Sequence, residues 1–391
     1  MNSLERAERI KKVPPYLFAT IDKKKREAIE RGVDIISFGI GDPDQPTPPQ
    51  IVEKMCEAVR APKNHRYPDY EGSLEFRSAV SAWYKKRFDV TLNPSSEVMT
   101  LIGSKEGIAH IFLAFVDPGD YTLIPDPAYP VYKLGTMFAN GVAHYMPLTA
   151  ENKFLPDFAA IPTEVAKKAK IMFLNYPNNP TAAVADLKFF AEAVAFCKQY
   201  DIILCHDNAY SEMAFDGFQP PSILQVPGAM DIAVEFGSLS KPFNMTGWRM
   251  GFAVGCSEVI SGLGIIKTNV DSGQFTAVQD AGIEALLNID TQFIPRMNEL
   301  YQARRDVLID GLNAMGWSLE KTKATFYVWA PVPKGYDSMS FCADMLEKCG
   351  IIVVPGVGYG PAGEGYVRFA LTLDESRIKE ALQRMKQHLA L

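Results

Sequence analysis

The chain has no basic run long enough to follow a nucleic-acid backbone, no apolar window near the roughly 20 residues of a bilayer span, and no CxxC pair. Each absence removes a class of function. The densest basic run, Lys23 to Arg26, lies between acidic residues in a segment of helical character and reads as a solvated helix face. A net charge of -6 argues the same way against a polyanionic partner. The cysteines, Cys56, Cys197, Cys205, Cys256, Cys342 and Cys349, are scattered through apolar runs such as IILCHD, so they read as buried, reduced thiols and no metal site is expected. The opening MNSLERAERIKK lacks the apolar stretch of an export signal, and a cytoplasmic location is expected. Internal repeats, low-complexity tracts and linkers are also missing.

What is present is enough apolar material, 47% of 391 residues, for two cores. An apolar patch, VPPYLFATI, is followed by a charged helical segment, an arm suited to packing on another domain or subunit. In DIISFGIGDPDQPTPP, a short strand runs into Gly39, Gly41 and a series of prolines, which allow close backbone approach and hold an extended loop. Ser73 is placed to cap an amphipathic helix to Phe88. EVMTLIGSKEGIAHIF reads as strand, Gly-Ser turn and helix, and a helix opening at Ser104 turns free N–H groups toward an anion.

From Tyr121 onward, strand-like runs alternate with helical ones: YTLIPDPAYP, IMFLNYPNNP, IILCHDNAYSE, IAVEFGSLSK and RMGFAVG. That pattern predicts an α/β domain with a mainly parallel sheet covered on both faces. Ligands of such sheets lie beyond the carboxyl ends of the strands. Asn179, Asp207 and Lys241 each follow a run of this kind and are expected to converge there. Beyond Gly273 two long helices lead into a smaller α+β unit, in which the Gly-rich GVGYGPAGEG reads as a turn.

The stretch SLSKPFNMTGWRMG places an amine, Lys241, eight residues before a guanidinium, Arg249. Lysine condenses with aldehydes and arginine grips phosphate, although such a pair can equally be a solvated surface feature. Together with NYPNNPT, DNAY and GWRMG, in that family order and over nearly the whole length, it resembles the fold-type I pyridoxal-phosphate aminotransferases of the aspartate aminotransferase class.

The resemblance implies a large domain with a mainly parallel seven-stranded sheet at residues 46–285, a small domain at 286–391, and an N-terminal arm and part of the small domain at 1–45. It implies pyridoxal 5'-phosphate as cofactor and a homodimer with its site at the subunit interface. Lys241 is then the Schiff-base lysine and proton carrier, Asp207 the partner of the ring nitrogen, and Tyr210 and Asn179 the donors to the ring's phenolic oxygen. Phosphate falls to Ser104, Lys105, Ser238 and Arg249, with Ser240 helping and Tyr67 reaching in from the other subunit, while Tyr129 stacks on the ring. Arg368, in YVRFAL, grips the substrate carboxylate beside the Gly41 N–H.

The stretches FGIGDPDQPTP, KTNVDSGQFTAVQ and PGVGYGPAGEGYVRFALT resemble a narrower branch whose amino-acid substrate carries a second ammonium and carboxylate, with a 2-oxo acid as the other substrate. Glu71 and Asp69 are candidates for that ammonium or else solvent-facing loop carboxylates; Lys267 and Asn269 are candidates for the far carboxylate. One residue departs from the family: NNPTA has Ala182 where glycine is usual, a strain of about 1 kcal/mol if the position needs positive φ. An aspartate, alanine or aromatic aminotransferase, or a carbon-sulfur lyase sharing the lysine and aspartate, remains an alternative. A cofactor-binding regulator is disfavoured because no DNA-binding segment is present.

Overall fold

The computed structural model describes residues 4–13 and 17–389, so the two prolines of the VPPYLFATI patch lie outside the described residues. A short strand β1 (Ile36–Ser37) precedes the main sheet, which contains β2 (Val98–Leu101), β3 (Tyr121–Asp126), β4 (Val142–Pro147), β5 (Ala169–Leu174), β6 (Ile203–Asp207), β7 (Ala233–Ser238) and β8 (Gly251–Gly255). Their spatial order is β2, β8, β7, β6, β5, β3, β4. β8 runs antiparallel to β2 and β7, and the remaining pairings are parallel.

Helices cover both faces of this sheet, which is why its strands read as nearly continuous apolar runs. In β5, Ile171 and Phe173 join Ile108 and Phe112 on one face, whereas Met172 and Leu174 join Phe190 and Val194 on the other. The period of two is intact, but both sides are dry. β4 was not foreseen. Of its residues VAHYMP at the sheet edge only Met146 is fully buried, so the sequence carries only a faint apolar signal there.

Local chemistry sets the helix starts as expected. Ser73 Oγ accepts from Phe76 N at 3.2 Å and opens the helix Leu74–Phe88. Asp186 does the same for Leu187–Tyr200, with Phe189 N at 2.8 Å.

The remaining strands are β9 (Tyr327–Pro331), β10 (Ile351–Ile352), β11 (Val354–Pro355) and β12 (Tyr366–Ala370). β11, β12 and β9 form an antiparallel sheet, and β10 pairs in parallel with β1 from the start of the chain. Helices Phe293–Asn313, Ser338–Cys349 and Glu375–His388 enclose a second core around Phe326, Phe341, Met345 and Phe369. GVGYGPAGEG forms two short 3-10 turns. Among the described residues no helix is long and apolar enough to cross a membrane.

The register of the main sheet aligns the strand ends. Leu174 pairs with His206 and Asp207 with Phe236, so Asn175, Asp207 and Ser238 emerge close to one level. The antiparallel β8 starts where its neighbours finish, with Gly251 opposite Ser238, and this brings Arg249 to the same edge.

Candidate active site

Above that edge lies a cavity of about 410 Å³, walled by the main sheet on one side and by β9, β12 and the Gly39 to Asp44 loop on the other. Its lining includes Gly41, Ser104, Lys105, Tyr129, Asn179, Asp207, Tyr210, Ser238, Ser240, Lys241, Arg249 and Arg368. Residues separated by most of the chain therefore share one space.

One end of the cavity is built for an anion. The helix Ser104–Phe115 opens here after Gly103, whose φ is 74°. A side chain at Gly103 would strike the Arg249 guanidinium, so only glycine lets the arginine lie across the helix start. Arg249 is itself held, donating from Nη1 to the Thr246 carbonyl at 2.8 Å. The Lys105 ammonium lies 5.5 Å from the Tyr129 ring centre. Burial, with Arg249 nearby, lowers the Lys105 pKa. Ser238 Oγ accepts from the Ser240 N–H at 3.1 Å. N–H groups at a helix start, two serines and two cations make a strong oxyanion cradle.

Asp207 stands at the middle of the cavity floor. Its Oδ2 accepts from the Tyr132 hydroxyl at 2.7 Å, while its Oδ1 is buried without any hydrogen-bond partner. Burial pushes the Asp207 carboxyl up to about 6, against the pull of Tyr132, His206, the nearby Ala209 N–H and Lys241. A buried acceptor left open in this way suits an N–H group of a ligand.

Lys241 Nζ donates to the Gly41 carbonyl at 2.7 Å. Burial brings its amine down to about 8; Arg368 and Arg249 push the same way, opposed by Asp42 and Asp207. An amine titrating there can act as nucleophile or base near neutrality. Gly41 is required for contact: a Cβ would run into the Tyr327 phenol ring.

At the opposite end, Arg368 donates to Asn179 Oδ1 at 2.9 Å and to the Gly39 carbonyl at 2.7 Å, with its guanidinium 4.2 Å from the Tyr327 ring centre. Tyr210 and Tyr327 hydroxyls meet at 3.0 Å, and burial first, then this contact, raises the Tyr210 phenol well above its ordinary range.

Other expected residues lie elsewhere in this chain. Tyr67 is 88% exposed, Asp69 and Glu71 are exposed, and Glu71 lies 3.8 Å from Arg77. Lys267 is fully buried away from the cavity, its ammonium between Asp271 at 2.9 Å and Glu106 at 3.4 Å. Asn269 is exposed and donates to the Ile265 carbonyl of its own helix. Ala182 does have positive φ, at 59°, in a loop tied by its N–H to the Asn178 carbonyl at 3.0 Å.

Sequence reasoning missed Tyr132, Asn175 and Tyr327. Asn175 donates to the Asp207 carbonyl at 2.7 Å, and its Oδ1 accepts from the Asn179 N–H at 2.8 Å, which fixes that loop. Its place directly after β5 matches that of Asp207 at the end of β6, a signal that could have found it.

A model of the aminotransferase class I and II family matches residues 33–385. The chain is 58% identical over 386 residues to the LL-diaminopimelate aminotransferase of Moorella thermoacetica, covering 99% of each protein. It superposes on BacF from Bacillus subtilis with a TM-score of 0.95 at 38% identity over 98% of both chains. A double mutant of the Thermus thermophilus aspartate aminotransferase aligns with a TM-score of 0.92 at 27% identity, over 99% of this chain and 100% of that one. Motif order, sheet topology and matched length all agree: the chain belongs to the class I and II aminotransferases.

Proposed function

We propose that this transaminase moves an amino group between LL-2,6-diaminopimelate and 2-oxoglutarate, giving tetrahydrodipicolinate and glutamate in the lysine and diaminopimelate route. Its cofactor in this reading is pyridoxal 5'-phosphate. The branch is carried by the 58% identity to the Moorella thermoacetica enzyme over almost its full length. The likeness to an aspartate aminotransferase, at 27% identity, is far weaker in sequence and supports the fold more than the substrate.

The cavity fits the cofactor. The open Oδ1 of Asp207 is the acceptor that a protonated ring nitrogen would complete, and the oxyanion cradle suits its phosphate. When bound, pyridoxal phosphate supplies an aldehyde that condenses with amines and a ring that withdraws electrons from the amine-bearing carbon. Asp207 holds a proton on that ring nitrogen. Ser104, Lys105, Ser238, Ser240 and Arg249 bind the phosphate, Tyr129 covers the ring, and Asn179 and Tyr210 donate to its phenolic oxygen. Lys241 is the amine that would hold the cofactor's aldehyde, and its Nζ, brought down to about 8 by burial, would serve as the base toward the substrate α-carbon. Arg368 orients the substrate through its carboxylate, next to Gly41.

This reading divides the chain into a cofactor-binding unit at 46–285 and a smaller unit at 286–391 completed by part of 1–45, a division supported by the β1 to β10 pairing. It also takes the enzyme as a cytoplasmic homodimer. Tyr67, with 88% of its surface exposed, and Glu71 serve the neighbouring copy's site, the tyrosine at phosphate and the carboxylate at the distal ammonium.

The test is a half-reaction in which purified enzyme, loaded with the aldehyde form of the cofactor, meets one amino acid at a time. LL-diaminopimelate and glutamate convert the cofactor spectrum to the amine form. Faster conversion by aspartate or alanine overturns the substrate assignment, and pyruvate released from cystathionine points to a lyase.

A further inference from the structure

Behind the cavity, on the opposite face of β6, His206 and Glu235 meet with no exposure to solvent. His206 Nε2 is 2.9 Å from the Tyr176 carbonyl oxygen, and Nδ1 is 2.8 Å from Glu235 Oε2. A carbonyl oxygen only accepts, so Nε2 carries hydrogen. The second proton is decided by Glu235.

Glu235 Oε1 accepts from the Tyr84 hydroxyl at 2.7 Å and Asn208 Nδ2 at 2.9 Å; Oε2 accepts from Ser222 Oγ at 3.0 Å and Ile223 N at 3.1 Å. The Ser222 hydroxyl oxygen is already an acceptor for Leu224 N, which leaves its hydrogen to point at Glu235. Four donors already converge on the two oxygens, so a proton on Glu235 would have to displace one of them, and the carboxylate is ionised. Burial alone would raise Glu235, yet the donors, led by His206, hold it below the ordinary carboxylate range. Facing an ionised oxygen, Nδ1 must donate as well.

We infer that His206 is an imidazolium, carrying a proton on each nitrogen, and that it is a positioning residue that keeps the neighbouring Asp207 ionised from behind the sheet. The charged groups around it are Glu235 on β7 and Asp207 on its own strand. Phe190, from the helix Leu187–Tyr200, covers the ring edge-on at 4.9 Å and adds no charge. Without the imidazolium, Asp207 loses one of the charges that oppose its burial, and burial favours the protonated acid. Asp207 is the more sensitive to this loss, because Tyr132 is its one side-chain hydrogen-bond donor, whereas Glu235 has three besides His206, and the Ile223 N–H as well.

The charge state rests on the histidine's own contacts; the link to Asp207 rests on the cofactor reading above, and two measurements separate them. In ¹⁵N-histidine holoenzyme at about pH 8, where an ordinary imidazole is neutral, both His206 nitrogens should give protonated signals. A single protonated nitrogen overturns the imidazolium whatever the cofactor does. In His206→Gln, a neutral hydrogen-bonding replacement, a ring-¹⁵N-labelled cofactor should shift toward the unprotonated nitrogen position. It should also dissociate about tenfold more readily, the equivalent of one pKa unit. A ring-nitrogen signal and retention equal to the parent's overturn the link to Asp207. If the variant does not fold, the parent spectrum still decides the charge.

Discussion

Lys241 Nζ and the carbonyl oxygen of Gly41 meet at 2.7 Å across 200 residues of sequence. The amine is thus aimed from the end of β7 toward the loop that also receives Arg368, and its burial lowers its basicity to about 8.

In the unfolded chain the same amine titrates near 10.5. Between about 8 and about 10.5 the unfolded state binds more protons, so stability rises with pH across that window; below it the buried ammonium carries its full cost. The rise is on the order of 3 kcal/mol at about 1.4 kcal/mol per unit. Denaturant unfolding of cofactor-stripped protein at several pH values should show it, and Lys241→Met should lack it. Equal slopes in parent and variant would rule out a buried amine. Lys241→Ala should also retain the cofactor with no borohydride-reducible bond.

Asp207 behaves in the opposite sense. Its carboxyl is raised to about 6 from 3.8, so the folded state binds more protons between those values and stability falls as pH rises through them. Asp207→Asn in cofactor-stripped protein should therefore be more stable near neutrality, on the order of 3 kcal/mol at about 1.4 kcal/mol per unit. The loaded variant should lose turnover by about a hundredfold or more, since a neutral partner weakens the hold on the ring proton. A variant both less stable and fully active would contradict the assignment.

For Arg368→Lys, the two hydrogen bonds to Asn179 and the Gly39 carbonyl are replaced by a single ammonium. The expected result is a fall in kcat/KM of about 10- to 100-fold for every amino and oxo substrate, with unchanged cofactor retention, from losing one charged hydrogen bond and the planar fork. A drop confined to one substrate would move Arg368 from the shared carboxylate to a distal group.

Ala182, at φ 59°, calls for a balance of terms. Glycine would relieve about 1 kcal/mol of left-handed strain, but it would free the unfolded chain by about 0.5–1 kcal/mol and remove a buried methyl worth about 0.8 kcal/mol. Ala182→Gly should therefore change stability by less than about 1 kcal/mol. Ala182→Val, β-branched in the same conformation, should cost more than about 2 kcal/mol in urea titrations.

Residues announced by position were readable in advance. Asn179, Asp207 and Lys241 each follow an apolar run that ends at a turn, and a parallel sheet has only one edge where such positions can gather. Tyr132 and Tyr327 gave no such notice. They sit within apolar segments, where a tyrosine reads as packing, and their polar contacts lie 75 and 117 residues away. Glu235 was hidden in the same way, as one charge inside IAVEFG, its partners supplied by three other segments. Lys267 is placed away from the cavity because its charge is taken by Asp271, one helical turn on, and by Glu106, 161 residues away, of which only the second was out of view in the sequence.

Pairing of Ile36 with Ile351 makes the order of synthesis matter. While the ribosome works, the β1 segment emerges early and must wait for more than three hundred further residues before its partner strand exists. Arg368 arrives later still, and Gly39, which receives its hydrogen bond, belongs to that waiting segment. In the proposed reading, the residues assigned to the cofactor can assemble on a nascent chain, whereas those assigned to the substrate can meet only near its release. A truncated product stopped short of β12 would keep Ser104, Lys105 and Arg249 but lack Arg368.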